Sequence, residues 1–469
     1  MSGRRTIGFG DAVVLGLSSS GPAQTIAVSL AGLVAAVSFG GPLVVLVAFL
    51  PMLGIALGYL RLNRWDPRAG ATYNWVARVF HPYLGFLAGW MILLYYTLGT
   101  TSLTLPAGTY TLALMAPTLV DNQVAVAAVG IGWNVLLTWL AVRGLRPAAR
   151  FEWLSVALQY VLLGVLSIAG VVALCRGQTP SLFDWSWYSW SGMGGSRGLV
   201  AGLLVACFMY SGWDAAVYVN EESQDGSELP GRAAVASVVI LALFYALATL
   251  GLSSVLSRSE LAQHAGNALD VISPRLLGAP YAAATSLVVL LGTLATLQAA
   301  VISAARVSSA MARDRVMPPW LACRDAVTGS PRNAMIAMGA INVGFLVATL
   351  AAGSVGEALA NVVSSLGLLS VVFYGLTAAA AVWQGRALLI RSPSDALVGG
   401  VMPALGVLFM VFVAVEAVLT GVLSRAVCIY GLGSIVFGLV IAVVLHRLGG
   451  NTFFGAVTKD GTLSSETSS

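Results

Sequence analysis

The chain has 469 residues, of which 58% are hydrophobic and only 9% are charged. So little charge cannot coat a soluble protein of this length, and a polytopic membrane protein is indicated instead. The formal net charge of +5 does not point to nucleic acid, because Lys459 is the one lysine and the arginines stand singly between apolar segments, never as a groove-binding patch.

Cys175, Cys207, Cys323 and Cys428 are isolated, without a CxxC pair or a histidine nearby in sequence, so neither a metal nor another cofactor is expected. Arg4 and Arg5 precede an apolar segment long enough to span, with no small-residue cleavage site, so the segment reads as a retained membrane span.

Runs of about 20 apolar residues predict twelve spans near 11–33, 42–60, 82–115, 124–142, 151–175, 198–220, 232–256, 281–312, 334–352, 356–384, 396–420 and 425–447. With a cytoplasmic N-terminus (1–10), the inner segments carry 18 basic residues. The outer segments carry 5 (Arg176, Arg197, Arg258, Arg275 and Arg425), and Arg306 lies inside a span. That asymmetry predicts both termini in the cytoplasm. The Ser/Thr-rich tail, 450–469, is expected to be disordered.

The first span holds Gly16 to Ala27, Gly-Leu-Ser-Ser-Ser-Gly-Pro-Ala-Gln-Thr-Ile-Ala. Three serines, a Gly-Pro pair and a glutamine at bilayer depth would leave backbone groups unpaired in lipid, so the helix is expected to break there beside a protein-lined cavity. Broken helices of this kind present half-helix ends to a transported solute. The loop 176–197 contains Phe183 to Trp190, Phe-Asp-Trp-Ser-Trp-Tyr-Ser-Trp. These aromatics fit seats at the headgroup boundary, with an external lid as the alternative. The sixth span carries Cys207 to Asp214, Cys-Phe-Met-Tyr-Ser-Gly-Trp-Asp, whose Ser211-Gly212 sits mid-span as Ser20-Gly21 does in the first. Two interrupted segments, each opening a set of five spans, fit two halves of opposite orientation; glycines are also common in membrane helices generally.

After the second span comes Asp66-Pro67-Arg68-Ala69-Gly70-Ala71-Thr72-Tyr73, then Gly85-Phe86-Leu87-Ala88-Gly89-Trp90. Glu221-Glu222-Ser223-Gln224-Asp225 with Leu229-Pro230 follows the sixth span. The eighth ends in Ala305-Arg306-Val307, Ala310-Met311-Ala312-Arg313-Asp314 and Pro318. In these four blocks, from Ile7 to Asn333, the chain resembles the amino acid-polyamine-organocation permease superfamily. The resemblance implies an all-α fold of twelve transmembrane helices. Spans one to five (11–175) and six to ten (198–384) would form intertwined inverted repeats with broken helices one and six, and 396–447 would add two peripheral helices. It also implies alternating access around a central site.

A zwitterionic amino acid needs donors for its carboxylate and acceptors for its ammonium, without a fixed buried net charge. The N–H groups around Gly21, Ala23 and Gln24 suit the carboxylate. The resemblance assigns carbonyls at Ser20, Phe208 and Ser211 to the ammonium. Where relatives often have Gly-Ser/Thr-Gly, this chain has Pro22-Ala23-Gln24, which removes one donor.

Asp214 is the intramembrane carboxylate ranked first, as a proton sensor or as a structural anion capping freed N–H groups. Phe208 resembles the family's occluding gate, Trp213 is the second aromatic candidate, and Tyr95 is assigned to the pocket wall. Gln159 stands where proton-coupled relatives often carry a lysine, so that resident cation is absent. Proton symport through Asp214, exchange and uniport stay open. Glu221, Glu222, Arg306, Arg313 and Asp314 are expected to form an ion-pair set closing the cytoplasmic gate, or to be surface charge under the positive-inside bias.

These features predict a secondary transporter of the plasma membrane for a small-molecule substrate, a neutral amino acid. An organic-amine or polyamine permease, or an amino acid exchanger, is the alternative. No catalytic cluster of His, Cys or carboxylates lies in the spans to support an enzyme, and no filter sequence or charge ring supports a channel.

Overall fold

The computed structural model describes residues 7–143, 145–264, 267–325, 329–351, 355–386, 392–423, 425–448 and 453–454. It is all-helical, with no strand among the described residues beyond an isolated bridge between Ile7 and Ser223. The helices are α1 (Phe9–Ser20), α2 (Pro22–Val37), α3 (Gly41–Trp65), α4 (Thr72–Val79), α5 (Pro82–Met115), α6 (Gln123–Val142), α7 (Leu145–Cys175) and α8 (Gly195–Met209). They continue as α9 (Leu229–Leu252), α10 (Arg258–Gln263), α11 (Ala268–Leu277), α12 (Tyr281–Arg313), α13 (Arg332–Ala351), α14 (Val355–Gly385), α15 (Pro393–Ala396), α16 (Met402–Leu419) and α17 (Arg425–Leu448).

Ten helical stretches among the described residues are long and apolar enough to cross a membrane, as a multi-pass protein requires. Twelve spans were expected. The first two fall in the single stretch Phe9–Trp65, and the ninth falls in α13, of which Arg332–Ala348 is the described apolar part. Hydrocarbon-facing leucines, valines and phenylalanines on α16 and α17 are exposed, whereas α12 and α5 bury most of their surface. The core therefore lies around α12, α5, α3 and α9, with α1 and the segment after α8 threaded between them.

The first helix breaks at Gly21, which adopts φ +50° between α1 and α2. The position admits no side chain, since a Cβ there would lie 2.2 Å from Thr296 Oγ1 on α12. Pro22 then opens α2, where its missing N–H costs nothing and its fixed φ suits the first helical residue. The second break follows Met209, at the end of α8. Gly212 takes φ +103°, and the chain resumes as a 3₁₀ turn over Trp213–Val217.

Both described chain ends reach the same face of the bundle. Ile7 exchanges backbone hydrogen bonds with Glu222 O and Gln224 N, at 3.2 and 3.0 Å. Phe453 and Phe454 belong to the tail expected to be disordered, yet both are buried. Phe453 stacks on Tyr73 of α4 with centroids 5.0 Å apart, and Phe454 stacks on Tyr83 at 5.2 Å and on His446 at 5.6 Å. The rest of that tail, and the segment before Ile7, lie outside the described residues.

At the opposite end of α2 the aromatic loop folds back on the bundle. Trp187 is buried against Phe39, with centroids 4.6 Å apart, while Trp185 and Trp190 are exposed.

Candidate functional site

The two breaks touch. A Cβ on Gly212 would lie 2.7 Å from Ser19 O and 3.0 Å from Ser20 N, so the turn after α8 is laid directly on the end of α1. Ser18, Ser19, Ser20, Gln24, Ser211, Trp213 and Asp214 are all buried, and Phe208 is half-buried. Of the residues assigned to a substrate pocket, the fold thus gathers Ser20, Gly21, Ala23, Gln24, Phe208, Ser211 and Asp214 around one contact. Tyr95 of α5 is also buried, edge-on to Tyr96 at 5.3 Å and to Phe373 at 5.6 Å.

Backbone groups released by the first break are largely taken up within the protein. Gly21 N–H donates to Leu17 O and Ser18 O, both at 3.1 Å, as in a helix C-cap. Ser18 O also accepts Thr296 Oγ1 at 2.8 Å, and Ser20 O accepts Thr25 Oγ1 at 2.7 Å. Ala23 N–H, an expected carboxylate donor, donates to Gln159 Oε1 of α7 at 3.2 Å. Gln24 N–H, in the first turn of α2, has no acceptor among the described residues, and the Gln24 side chain accepts Thr293 Oγ1 at 3.1 Å. The half-helix end therefore presents one uncommitted N–H, at Gln24, beside a donor shared with Gln159.

Buried polar atoms without a partner among the described residues include several on helices that meet near the breaks. Ser18 Oγ of α1, Gln159 Nε2 of α7 and both side-chain polar atoms of Gln298 of α12 are buried without a hydrogen-bond partner among the described residues, and Tyr96 of α5 faces Ser19 of α1 and Ser303 of α12. A buried polar group left unpaired costs about 1–3 kcal/mol, a cost that a bound polar solute or water would relieve.

The second break is anchored by side chains. The Asp214 carboxylate is fully buried and accepts Tyr374 OH of α14 at 2.7 Å and Tyr218 OH at 2.8 Å, one hydroxyl on each oxygen. Gly212 N–H donates to the same Tyr374 OH at 3.2 Å. Trp213 stacks on Tyr374 with centroids 5.3 Å apart and meets Tyr59 of α3 edge-on at 4.9 Å. It thus packs against side chains of α3 and α14. Phe208 O accepts Ser211 N–H at 3.0 Å, and Ser211 Oγ bonds back to Cys207 O at 2.7 Å.

The expected ion-pair set assembles at the end of α12. Arg306 grips Glu222 with two bonds, 3.1 and 2.8 Å, and donates a third to Ile302 O at 3.2 Å. Arg313 grips Glu221 at 3.1 and 2.8 Å, Arg324 joins the same carboxylate, and Ala69 N–H donates to it at 3.0 Å. Asp314 is held differently from the ion pairs, by Tyr73 OH at 2.8 Å. Burial raises its carboxyl above the usual range, against the lowering effect of that hydroxyl and of Arg68 and Arg313.

Sequence reasoning passed over Tyr218, Tyr374, Thr293, Thr296 and Glu152. A helical spacing was available for three of them: Tyr218 is four residues beyond Asp214, and Thr293 and Thr296 lie three apart on one face of α12. Tyr374 arrives from a distant helix, and nothing local announces it.

Residues 7–444 match the family model described as amino acid permease. The chain is 26% identical over 327 residues to the large neutral amino acids transporter small subunit 2 of Rattus norvegicus, covering 69% of this chain and 59% of that protein. It is 27% identical over 247 residues to the low-affinity putrescine importer PlaP of Escherichia coli, covering 52% and 53%. To an uncharacterized transporter of Mycobacterium bovis it is 29% identical over 391 residues, covering 81% of each. The chain thus spans about 59% of the length of the large neutral amino acid transporter subunit that it matches. With two interrupted membrane helices meeting over buried polar atoms, and a family match along nearly its whole length, the chain belongs to the amino acid permease family.

Proposed function

We propose that this protein is a secondary transporter that carries a neutral amino acid across the plasma membrane by alternating access, with both termini in the cytoplasm. The carrying observation is the contact of the two breaks, Gly212 on Ser19, with buried polar atoms of α1, α7 and α12 that have no partner among the described residues. In this reading the substrate carboxylate lies at the N-terminal end of α2, toward Gln24 N–H and the donor now held by Gln159. The ammonium lies against carbonyls of Ser20, Phe208 and Ser211, Phe208 closes over it, and Tyr95 lines the wall. Glu221, Glu222, Arg306, Arg313 and Asp314 close the cytoplasmic side. Spans through α1 to α7 and through α8 to α14 act as two inverted halves of a twelve-helix bundle, and α16 and α17 are peripheral.

A second reading, an organic-amine permease, is favoured by the likeness to a putrescine importer. It needs a carboxylate free to meet a cation, and each Asp214 oxygen already accepts a tyrosine hydroxyl. That engagement supports the neutral substrate and gives Asp214 the part of a structural anion. Uptake of radiolabelled amino acids and amines into proteoliposomes tests both readings. Saturable uptake of leucine-like substrates with trans-stimulation is expected. Uptake of putrescine alone would overturn the amino acid reading in favour of the amine one.

A further inference from the structure

The ion-pair end of the bundle carries an aromatic seat outside the contact of the two breaks. Tyr73 of α4, Tyr83 and Phe86 of α5 and His446 of α17 form it, and Phe453 and Phe454 fill it. Phe453 lies face to face on Tyr73, the rings 16° from parallel. Phe454 stacks on both Tyr83 and His446 and meets Phe86 with centroids 6.1 Å apart. The two phenylalanines cross edge-on at 5.3 Å and are only 7% and 5% exposed. Tyr83 OH and His446 Nδ1 share a hydrogen bond of 2.5 Å, which ties α5 to α17 at the far wall.

Tyr73 connects this seat to the ion-pair network. Its ring is fully buried and lies against Gly89 of α5, where a Cβ would stand 3.1 Å from Tyr73 Cδ2 and 2.9 Å from Met311 Sδ of α12. Its hydroxyl donates to Asp314 Oδ2 at the end of α12, at 2.8 Å. Four residues earlier, Ala69 N–H donates to Glu221 Oε1 at 3.0 Å, the carboxylate that Arg313 also grips. The arm from Ala69 to Tyr73 thus touches α12 at one end and the segment after the second break at the other. Burying a phenylalanine and stacking it on a second ring are both favourable. Here they favour the one position of the arm in which Ala69 N–H and Arg313 converge on Glu221.

We propose that Phe453 and Phe454 are an intramolecular aromatic ligand of this seat, a clip that holds the arm from Ala69 to Tyr73 in place and so stabilises the closed ion-pair network. With the clip seated, Tyr73 is sandwiched between Phe453 and the contact of Gly89 with Met311, and its hydroxyl stays on Asp314. When the clip leaves, the faces of Tyr73 and Tyr83 meet water and the arm is free to drift. Glu221 then keeps its arginines but loses its backbone donor, and the network opens more readily. A segment beyond the last span thereby sets how tightly that end of the protein closes. This rests on the transporter reading for its effect on rate, but the clip itself can be measured without substrate.

Hydrogen–deuterium exchange of the purified full-length protein in lipid nanodiscs, without substrate, tests it. In the double variant Phe453→Ala, Phe454→Ala, amides of 66–79 and 219–226 should exchange about tenfold faster than in the wild type, while those of 289–300 in α12 keep their wild-type rates. Phe453→Tyr preserves the stack and should exchange as the wild type does. Wild-type exchange in both stretches of the double variant, or acceleration spread equally over α12, would overturn the proposal. So would a Phe453→Tyr variant as fast as the double alanine one. In proteoliposomes the double variant should take up radiolabelled leucine several-fold faster than the wild type. Equal or slower uptake would contradict the clip's hold on the cycle. Failure of the wild type to take up leucine at all would count against the substrate reading alone and leave the exchange rates to decide on the clip.

Discussion

The two interruptions solve one physical problem by different means. At Gly21 the chain turns through backbone chemistry: a left-handed glycine, a proline at the first helical position, and threonine hydroxyls that satisfy loose serine carbonyls. At Gly212 the turn is pinned from outside by a buried carboxylate, two tyrosine hydroxyls and a stacked tryptophan. The first therefore leaves polar atoms unspent around it, while the second spends its strongest groups on its own geometry. A break meant to grip a solute and a break meant to hold position can sit in contact and still divide these tasks.

That division is most sharply tested at the contact itself. Gly212→Val would force a β-branched side chain into φ +103° and against Ser19 O, where even a Cβ stands at 2.7 Å. Uptake should fall by about 100-fold or more, in line with the loss a misplacement of about 1 Å produces at a reacting site. Uptake within a few-fold of wild type would mean the breaks need not touch.

Next in size is the anchor. Tyr374→Phe removes the hydroxyl that serves both Asp214 Oδ1 and Gly212 N–H. It should lower unfolding stability by roughly 1.5–3 kcal/mol, the range for a hydrogen bond to a charged group, measured by denaturant titration in mixed micelles. Asp214→Asn should also destabilise, while leaving substrate affinity in the surviving folded fraction close to wild type. A specific loss of substrate binding with unchanged stability would move Asp214 from scaffold to ligand.

A smaller effect is expected on the other side of the comparison. Gln159→Leu keeps the volume beside Gly292 but releases Ala23 N–H from its present acceptor. The KM for a transported amino acid should fall by about fivefold, corresponding to a hydrogen bond of about 1 kcal/mol. A raised KM would place the carboxylate elsewhere.

The smallest is a pH effect at the ion-pair end. Because burial raises the Asp314 carboxyl in the folded state, the folded protein binds that proton more tightly than the unfolded chain does. Its contribution is therefore fully present below the ordinary aspartate range and is lost as pH rises through the raised value. As pH rises from the ordinary aspartate range, thermal stability should drop more in the wild type than in Asp314→Asn. Equal drops would place the Asp314 carboxyl in a water-like setting.

Much of this was readable in the chain, and the reasons are local. Gly21-Pro22 and Ser211-Gly212 are breaks wherever they stand in an apolar span, because lipid offers no partner for the backbone they free. The paired glutamates and the arginines ending α12 likewise declare an ion-pair set by charge alone. What stayed hidden depends on partners far along the chain. Gln159 reaches Ala23 across 136 residues and Tyr374 reaches Asp214 across 160, so neither the consumed donor nor the satisfied carboxylate could be inferred. Glu152 escaped for a different reason. Two residues beyond Arg150 at the edge of a span, it reads as an end-of-helix charge, and its burial emerges only in the fold.

Hydrogen–deuterium exchange, with and without the amino acid most strongly taken up by proteoliposomes, bears most directly on the claim that the touching breaks are the binding site. The account predicts ligand protection concentrated in two stretches distant in sequence, 16–27 and 206–218, and lost together in Gly212→Val. Protection confined to other helices, with both stretches exchanging as in the free protein, would contradict it.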